Sequence, residues 1–292
     1  IGLLSCNNIN NSQKPLNSLP SKTEKTEIKD TIEPIVFAKD IILDSVEPLD
    51  ETKEKQAEYI NSRIKKMTNC IVSKWCKEAG FSKLPDYILF RVFKHEKQFE
   101  IWGRLGNSDS LKLIKTIGVC AIEETPGPKM KGWDFNTAEG FYTYNIYYTS
   151  PSWYMWIKLS NEEIKNTGKL DYGSCFKMFI NYPNELDKYN SKRIHGIHNN
   201  MGTICIHGNC VTACCVSCEN ELWTVVFAFG LLHNTDYGLP QVYLFPCRFE
   251  KTDVKGLFRT LTNYNLKDSS ILYPFWDNIK QGYDKFEKKH KP

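Results

Sequence analysis

A mainly β fold with flanking helices, of the α+β class, is what this sequence predicts, on three observations. Short apolar runs with the two-residue alternation of strands fill residues 86–250. Apolar residues at helical spacing lie on either side of that region. The 292 residues are 41% hydrophobic and 13% aromatic, enough to bury one large core or two modest ones.

Residues 7–50 are rich in Asn, Ser, Lys, Glu and Pro and poor in aromatics. Such a stretch buries too little apolar surface to offset its chain entropy, so a flexible polar tether is expected there. In segment 51–85, Ile60, Ile64, Met67, Ile71 and Trp75 recur at helical spacing and Gly80 offers a stop, predicting one amphipathic helix that faces the core. The period then changes. Runs 88–93, 98–102 and 111–117 read as strands separated by polar breaks at His95-Glu96-Lys97 and Gly106-Asn107-Ser108-Asp109, an antiparallel meander. Further strands are expected at 140–148, 175–181, 203–207 and 241–245, and a helix at 219–232. The C-terminal extension 251–292 holds another helix at 274–286, where Phe275, Ile279, Tyr283 and Phe286 share a face. There is no internal repeat.

The formal net charge is +4, from 38 basic and 34 acidic residues. No global field therefore argues for nucleic acid as a partner. No run approaches the roughly 18 apolar residues of a membrane span. The first six residues, Ile1-Gly2-Leu3-Leu4-Ser5-Cys6, resemble the end of a bacterial lipoprotein signal peptide. That resemblance implies that Cys6 carries a lipid and becomes the first residue of the mature protein, so that any membrane attachment is by lipid.

Eleven cysteines are present. Their spacing lacks the paired C-x-x-C rhythm of a structural zinc site. Cys205, Cys210, Cys214, Cys215 and Cys218 with His207 are the conceivable metal set. Crowding, and the alternation of strand side chains between opposite faces, count against it, and no metal is assigned. Cys70, Cys76, Cys120, Cys175 and Cys247 lie in apolar contexts and are expected to be small buried hydrophobes.

Chemistry is most concentrated in Ile206-His207-Gly208-Asn209-Cys210-Val211-Thr212-Ala213-Cys214-Cys215-Val216-Ser217. A thiolate is an efficient acyl nucleophile, and a neighbouring imidazole can generate it at neutral pH. The same residues are also compatible with mere packing. Other short signatures come in order around them. Gly127-Pro128-Lys129 precedes Asp134 and Thr137-Ala138-Glu139-Gly140-Phe141-Tyr142; Phe176-Lys177-Met178-Phe179-Ile180-Asn181-Tyr182-Pro183-Asn184 follows. Together with Phe90-Arg91-Val92-Phe93-Lys94, Phe245-Pro246-Cys247-Arg248, Phe275-Trp276 and Gly282-Tyr283-Asp284-Lys285-Phe286-Glu287, the set resembles the L,D-transpeptidase catalytic domain of the YkuD type, most closely its YafK-like branch.

The resemblance spans about residues 86–287. It implies a YkuD-like β-sandwich or mixed-sheet catalytic domain over 86–250. It also implies a cysteine that attacks an amide carbonyl of a peptidoglycan stem peptide. Cys215 then takes the nucleophile position, with Cys214 as the alternative thiol, and His207 the general base. Gly208 and the backbone of Cys214 fall at the oxyanion hole. Lys129, Tyr182, Arg248 and Thr212 are candidate substrate contacts, each with a packing or surface role as its alternative; Thr212 is also placed to orient His207. His195 and His198 either line the cleft or are solvated. The acyl group would pass to an amine, from a second stem or a covalently attached envelope protein, or to water. No cofactor is implied. The implied location is the bacterial cell envelope, periplasmic and lipid-anchored. The chain departs from the family's pattern at Cys214, where a glycine is usual, at Trp133, where a glycine precedes the aspartate, and at Ala138, where a proline precedes the glutamate. A catalytically silent peptidoglycan-binding or scaffolding lipoprotein, its Cys214 and Cys215 joined as a vicinal disulfide, is the rival reading.

Overall fold

The structure is a computed structural model, and it describes residues 68–107, 110–145, 177–196, 201–261 and 265–292. The tether, Cys6, Cys175 and His198 lie outside the described residues, as do most of the helical stripe before residue 68 and the ends of the strands expected at 140–148 and 175–181.

Eight strands form one curled mixed sheet: β1 (Tyr87–Phe93), β2 (Gln98–Arg104), β3 (Lys112–Gly118), β4 (Gly140–Asn145), β5 (Met178–Ile180), β6 (Cys205–His207), β7 (Val216–Ser217) and β8 (Gln241–Phe245). Their spatial order is β3-β2-β1-β8-β4-β5-β6-β7. The expected meander is present as the antiparallel pairs β1–β2 and β2–β3. Two contacts are parallel, β1 with β8 and β6 with β7. β3 and β7 are opposite edges, yet the chain leaving β3 returns to β7. Ala121 bridges Ser217, and the amides of Cys120 and Ala121 donate to the Ser217 carbonyl. The sheet therefore curls until its edges are linked, which leaves the short edge strand β7 with partners on both sides.

Five α-helices flank the sheet among the described residues: α1 (68–78), α2 (Glu185–His195), α3 (Asn220–Gly230), α4 (Val254–Leu261) and α5 (Ser269–Lys289). α1 ends as Gly80 predicts. At φ 78° this glycine donates to Lys77 while the Phe81 amide reaches back to Cys76, closing the last carbonyls. Nine of the eleven residues of α3 are buried, so it has no solvent face. Trp75 of α1 stacks on its Phe229. α5 lays Phe275, Trp276, Ile279, Tyr283 and Phe286 inward, including every position expected to share a face.

α2 was not expected from the apolar pattern. Its stability is polar and local: Asn184 caps the Asp187 amide, Asp187 returns a carboxylate to the Asn184 amide, and Gly196 closes the end at φ 77°. The two-residue strand β7 and the helix α4 are likewise additions. Two cysteine expectations are corrected. Cys120 is not a free hydrophobe but is joined to Cys210 across 90 residues, and Cys70 is exposed. Cys76 and Cys247 are buried thiols as expected.

Candidate active site

The parallel register of β6 and β7 builds the site. Ile206 pairs with Val216 and His207 with Ser217, so Cys215 is the neighbour of Cys205. Alternation along a strand then sets Cys205, His207, Cys215 and Ser217 on one face, while Ile206 and Val216, both fully buried, enter the core on the other. The connecting loop turns through Asn209 at φ 79° and Cys210 at φ 48°, a left-handed pair that L side chains rarely adopt. The Cys120–Cys210 disulfide and a 2.7 Å bond from the Asn209 amide to Asn220 hold that turn in place.

His207 is buried, and its Nδ1 lies 2.6 Å from the Gly208 carbonyl oxygen. A carbonyl can only accept, so Nδ1 carries a hydrogen, and Nε2 is the nitrogen left to exchange a proton with a neighbour. The same carbonyl accepts from Ser217 Oγ at 2.9 Å, which fixes the group that fixes the imidazole. One ring nitrogen of His207 and the sulfurs of Cys205 and Cys215 all lie within 4.8 Å of one another. The Cys205 amide donates to Cys215 Sγ at 3.4 Å, and the two sulfurs are 3.5 Å apart.

These donors give the three thiols different characters. Hydrogen bonds from Cys205, then Cys214 and His207, hold Cys215 well below the ordinary thiol range in spite of its burial. Cys205 and Cys214 are pushed up, first because each gives its hydrogen to Cys215 and then by burial. Cys218, on the core side, is pushed up to about 12 by burial. Among the described residues, Cys205, His207 and Cys215 form the one group with donor atoms close enough for a metal, and two thiolates with an imidazole would suit a soft ion. Cys210 is withdrawn from the wider set by its disulfide.

The other expected site residues divide. Thr212 does not bond His207. Its Oγ1 accepts from the amides of Cys215 at 2.7 Å and Cys214 at 3.3 Å, the second of which was assigned to an oxyanion hole. Gly208 contributes its carbonyl to His207. Lys129 is buried and paired with Asp134 at 2.8 Å; it lines a cavity of about 260 Å³ together with Cys214. Tyr182 stands behind it, donating to the Lys129 carbonyl at 3.0 Å. Arg248 is not brought to the thiol. Its guanidinium is engaged by Glu100 and by Gln98 and lies 4.0 Å from the centre of the Phe93 ring, a structural setting. His195 ends α2, and burial, with Lys131 nearby, lowers its pKa.

No family model matches the chain. A protein named "Putative L,D-transpeptidase YafK", from Escherichia coli strains K12 and O157:H7, is 27% identical to it over 208 residues, which is 71% of this chain and 69% of YafK. Over that span the chain is similar to a putative L,D-transpeptidase of the YafK type. Among solved structures, it is similar to the helical cell shape determining protein Pgp2 of Campylobacter jejuni, at 16% identity and a TM-score of 0.34 over 59% of this chain and 54% of that one. It is also similar to Bd1075 of Bdellovibrio bacteriovorus, at 18% identity and a TM-score of 0.31 over 60% and 55%. The chain thus spans little more than half the length of those solved chains.

Ser217 and the donor role of Cys205 are the features that the reading of the sequence missed. Only the β6–β7 register makes them neighbours of His207 and Cys215, and a two-residue strand leaves no periodic signal. The pairing of Cys120 with Cys210 had no signal either, because it depends on the curl of the sheet.

Proposed function

We propose that this chain is a cell-envelope cysteine enzyme that acts on peptidoglycan stem peptides by acyl transfer through a Cys215 thioester, with His207 as general base. One observation carries the reading: Cys215 Sγ, the lowest thiol of its cluster, faces an imidazole whose Nδ1 is committed to Gly208 and whose other nitrogen is free to take a proton. His207 takes the thiol proton, and the thiolate attacks the amide carbonyl carbon. As the tetrahedral intermediate collapses, the C–N bond breaks, the departing amine takes the proton back from the imidazolium, and the thioester remains. An amine or water then attacks that thioester, giving transfer or hydrolysis and restoring the thiol.

The oxyanion needs donors. The Cys214 and Cys215 amides are paired and convergent, and in the free protein their acceptor is Thr212 Oγ1. A substrate oxyanion would take the place of that hydroxyl. The envelope location and a lipid on Cys6 suit a fixed mesh of substrate. Among the described residues no helix is long and apolar enough to cross a membrane.

The test is an intact-mass spectrum of the protein incubated with a disaccharide tetrapeptide, with the soluble products analysed in parallel. A stem-peptide adduct on Cys215 is expected, with crosslinked product when an amine acceptor is supplied if transfer dominates, or with shortened peptide alone if hydrolysis does. Turnover that survives Cys215→Ala would end the mechanism. Binding of peptidoglycan with neither adduct nor turnover would leave a silent binding protein.

A further inference from the structure

Beside the thiol cluster stands a loop built to hold aromatic rings in water. Residues 127–139 leave and rejoin the core at one buried ion pair. Lys94 Nζ, fully buried, donates to the carbonyls of Gly127 and Thr137 and to Glu139, while Glu139 accepts the Gly127 amide at 2.9 Å and Trp276 Nε1 at 2.7 Å. Within the loop the Asp134 carboxylate accepts from Lys129 Nζ and from the amides of Met130, Lys131 and Asn136 at 2.7–3.2 Å. From behind, Ser191 and Tyr182 bond the carbonyls of Met130 and Lys129. The residues on either side of Asp134, Trp133 and Phe135, both sit at φ 59°. A left-handed residue other than glycine costs on the order of 1–3 kcal/mol and persists only where its surroundings enforce it.

What this architecture displays is apolar. Trp133 is 87% exposed and Phe135 53%. Both line the cavity of about 260 Å³, which Met201, Ala213 and Cys214, the residue next to Cys215, also line. Its lining cation, Lys129, is neutralised by Asp134. An acyl donor held at Cys215 therefore lies beside this cavity, one residue from its wall. The occupant of the cavity is then a neutral group with an apolar face, and a charged stretch of peptide is disfavoured.

We propose that Trp133 and Phe135 form a platform for an N-acetylhexosamine ring of the acyl donor, so that the site takes stem peptides still attached to glycan in preference to free ones. This rests on the reading of Cys215 as the acylated thiol, and it deepens that reading by naming the donor class. A pyranose presents axial C–H groups on one face and hydroxyl groups at its edge. That face fits flat against the electron-rich face of an indole, and the acetamido methyl adds a second apolar contact.

The test uses the full chain carrying Cys215→Ala, so that binding is read without turnover, and compares two probes by calorimetry: a disaccharide tetrapeptide and the same tetrapeptide without sugar. The disaccharide form is expected to bind about tenfold more tightly, as one good aromatic contact supplies. Adding Trp133→Ala should collapse that ratio towards one, with Trp133→Phe restoring part of it. Equal binding of the two probes, binding of neither, or a ratio untouched by Trp133→Ala overturns the platform. The wild-type adduct experiment separately decides whether Cys215 is acylated, so the two ideas fail in different measurements.

Discussion

The two halves of the sheet are held together by different physics. In the meander half, β1, β2 and β8 are long strands under α5, and Phe93, Trp102 and Phe245 of the strands form one aromatic cluster with Tyr283 and Phe286 of α5 around the buried Arg91, stacked between Phe93 and Phe245 and face to edge across to the helix. In the site half, β5, β6 and β7 are two or three residues long. A disulfide, a serine-held carbonyl and a threonine-held pair of amides supply what strand length does not. Burial is non-directional and tolerates small errors, whereas hydrogen bonds and thiol contacts fix angles. The stability of the fold and the geometry of the site are thus expected to be separable by mutation.

The largest effect breaks the comparison at its extremes. Cys215→Ala is expected to lower turnover on the order of 10⁴-fold or more while barely moving the melting temperature. Phe93→Ala, a fully buried ring against Phe245 and Tyr283, should cost about 3–5 kcal/mol in denaturant unfolding, with Cys215 alkylation in the remaining folded fraction little changed. If Phe93→Ala instead silenced the thiol at constant folded fraction, the two halves would not be independent.

Next comes the covalent link between the edges. The Cys120–Cys210 bond closes a loop of 90 residues, and replacing both by serine should cost about 2–5 kcal/mol, read as a lower thermal midpoint that reductant no longer shifts. The left-handed turn at Asn209 and Cys210 loses its anchor in the same variant, so the alkylation rate of Cys215 should fall with it. A variant that melts lower yet alkylates normally would place the disulfide on the stability side alone.

The same division explains what could be read without coordinates. Strands β1, β2, β3 and β8 and the inward face of α5 were legible because long elements repeat their burial period several times. The ordered motifs pointed to Cys215 and His207, and these two are neighbours. What escaped was whatever depends on pairing between distant segments. β7 is too short for alternation, Ser217 reaches Gly208 only through the β6–β7 register, and Arg248 is drawn to Glu100 by strand neighbours that its own sequence does not name. α2 was missed for a different reason. Its signal is a capping box, Asn184 to Asp187, on a helix whose composition is mostly polar.

Asp187 lies at the join of the two halves, accepting from Tyr142 of β4 at 2.9 Å and from its own capping amide. Burial raises its pKa from 3.8 to about 6. The native state therefore holds this proton more tightly than the unfolded chain. The contribution is fully present below 3.8 and is lost as pH rises through about 6, a change of about 2–3 kcal/mol. Asp187→Asn should flatten the stability profile between pH 4 and 6, measured by thermal melts across that range. A slope that persists in the variant would assign it to another group.

The smallest effects distinguish the two supports of Cys215 from each other. Cys205 acts on the sulfur, through its thiol and its amide, so Cys205→Ala should move the pH profile of Cys215 alkylation upward, because one of the two donors is removed. Thr212 acts on the amides. Thr212→Val leaves the Cys214 and Cys215 N–H groups without an acceptor, at a cost of about 1–3 kcal/mol in stability, and should lower kcat without moving that alkylation profile. The two variants thus differ in kind. One changes when the thiolate exists, the other where the oxyanion is received, and a double variant should show both defects side by side. If Thr212→Val shifted the alkylation profile as Cys205→Ala does, the amides and the sulfur would belong to a single electrostatic unit, and the distinction between holding the thiolate and receiving the oxyanion would fall.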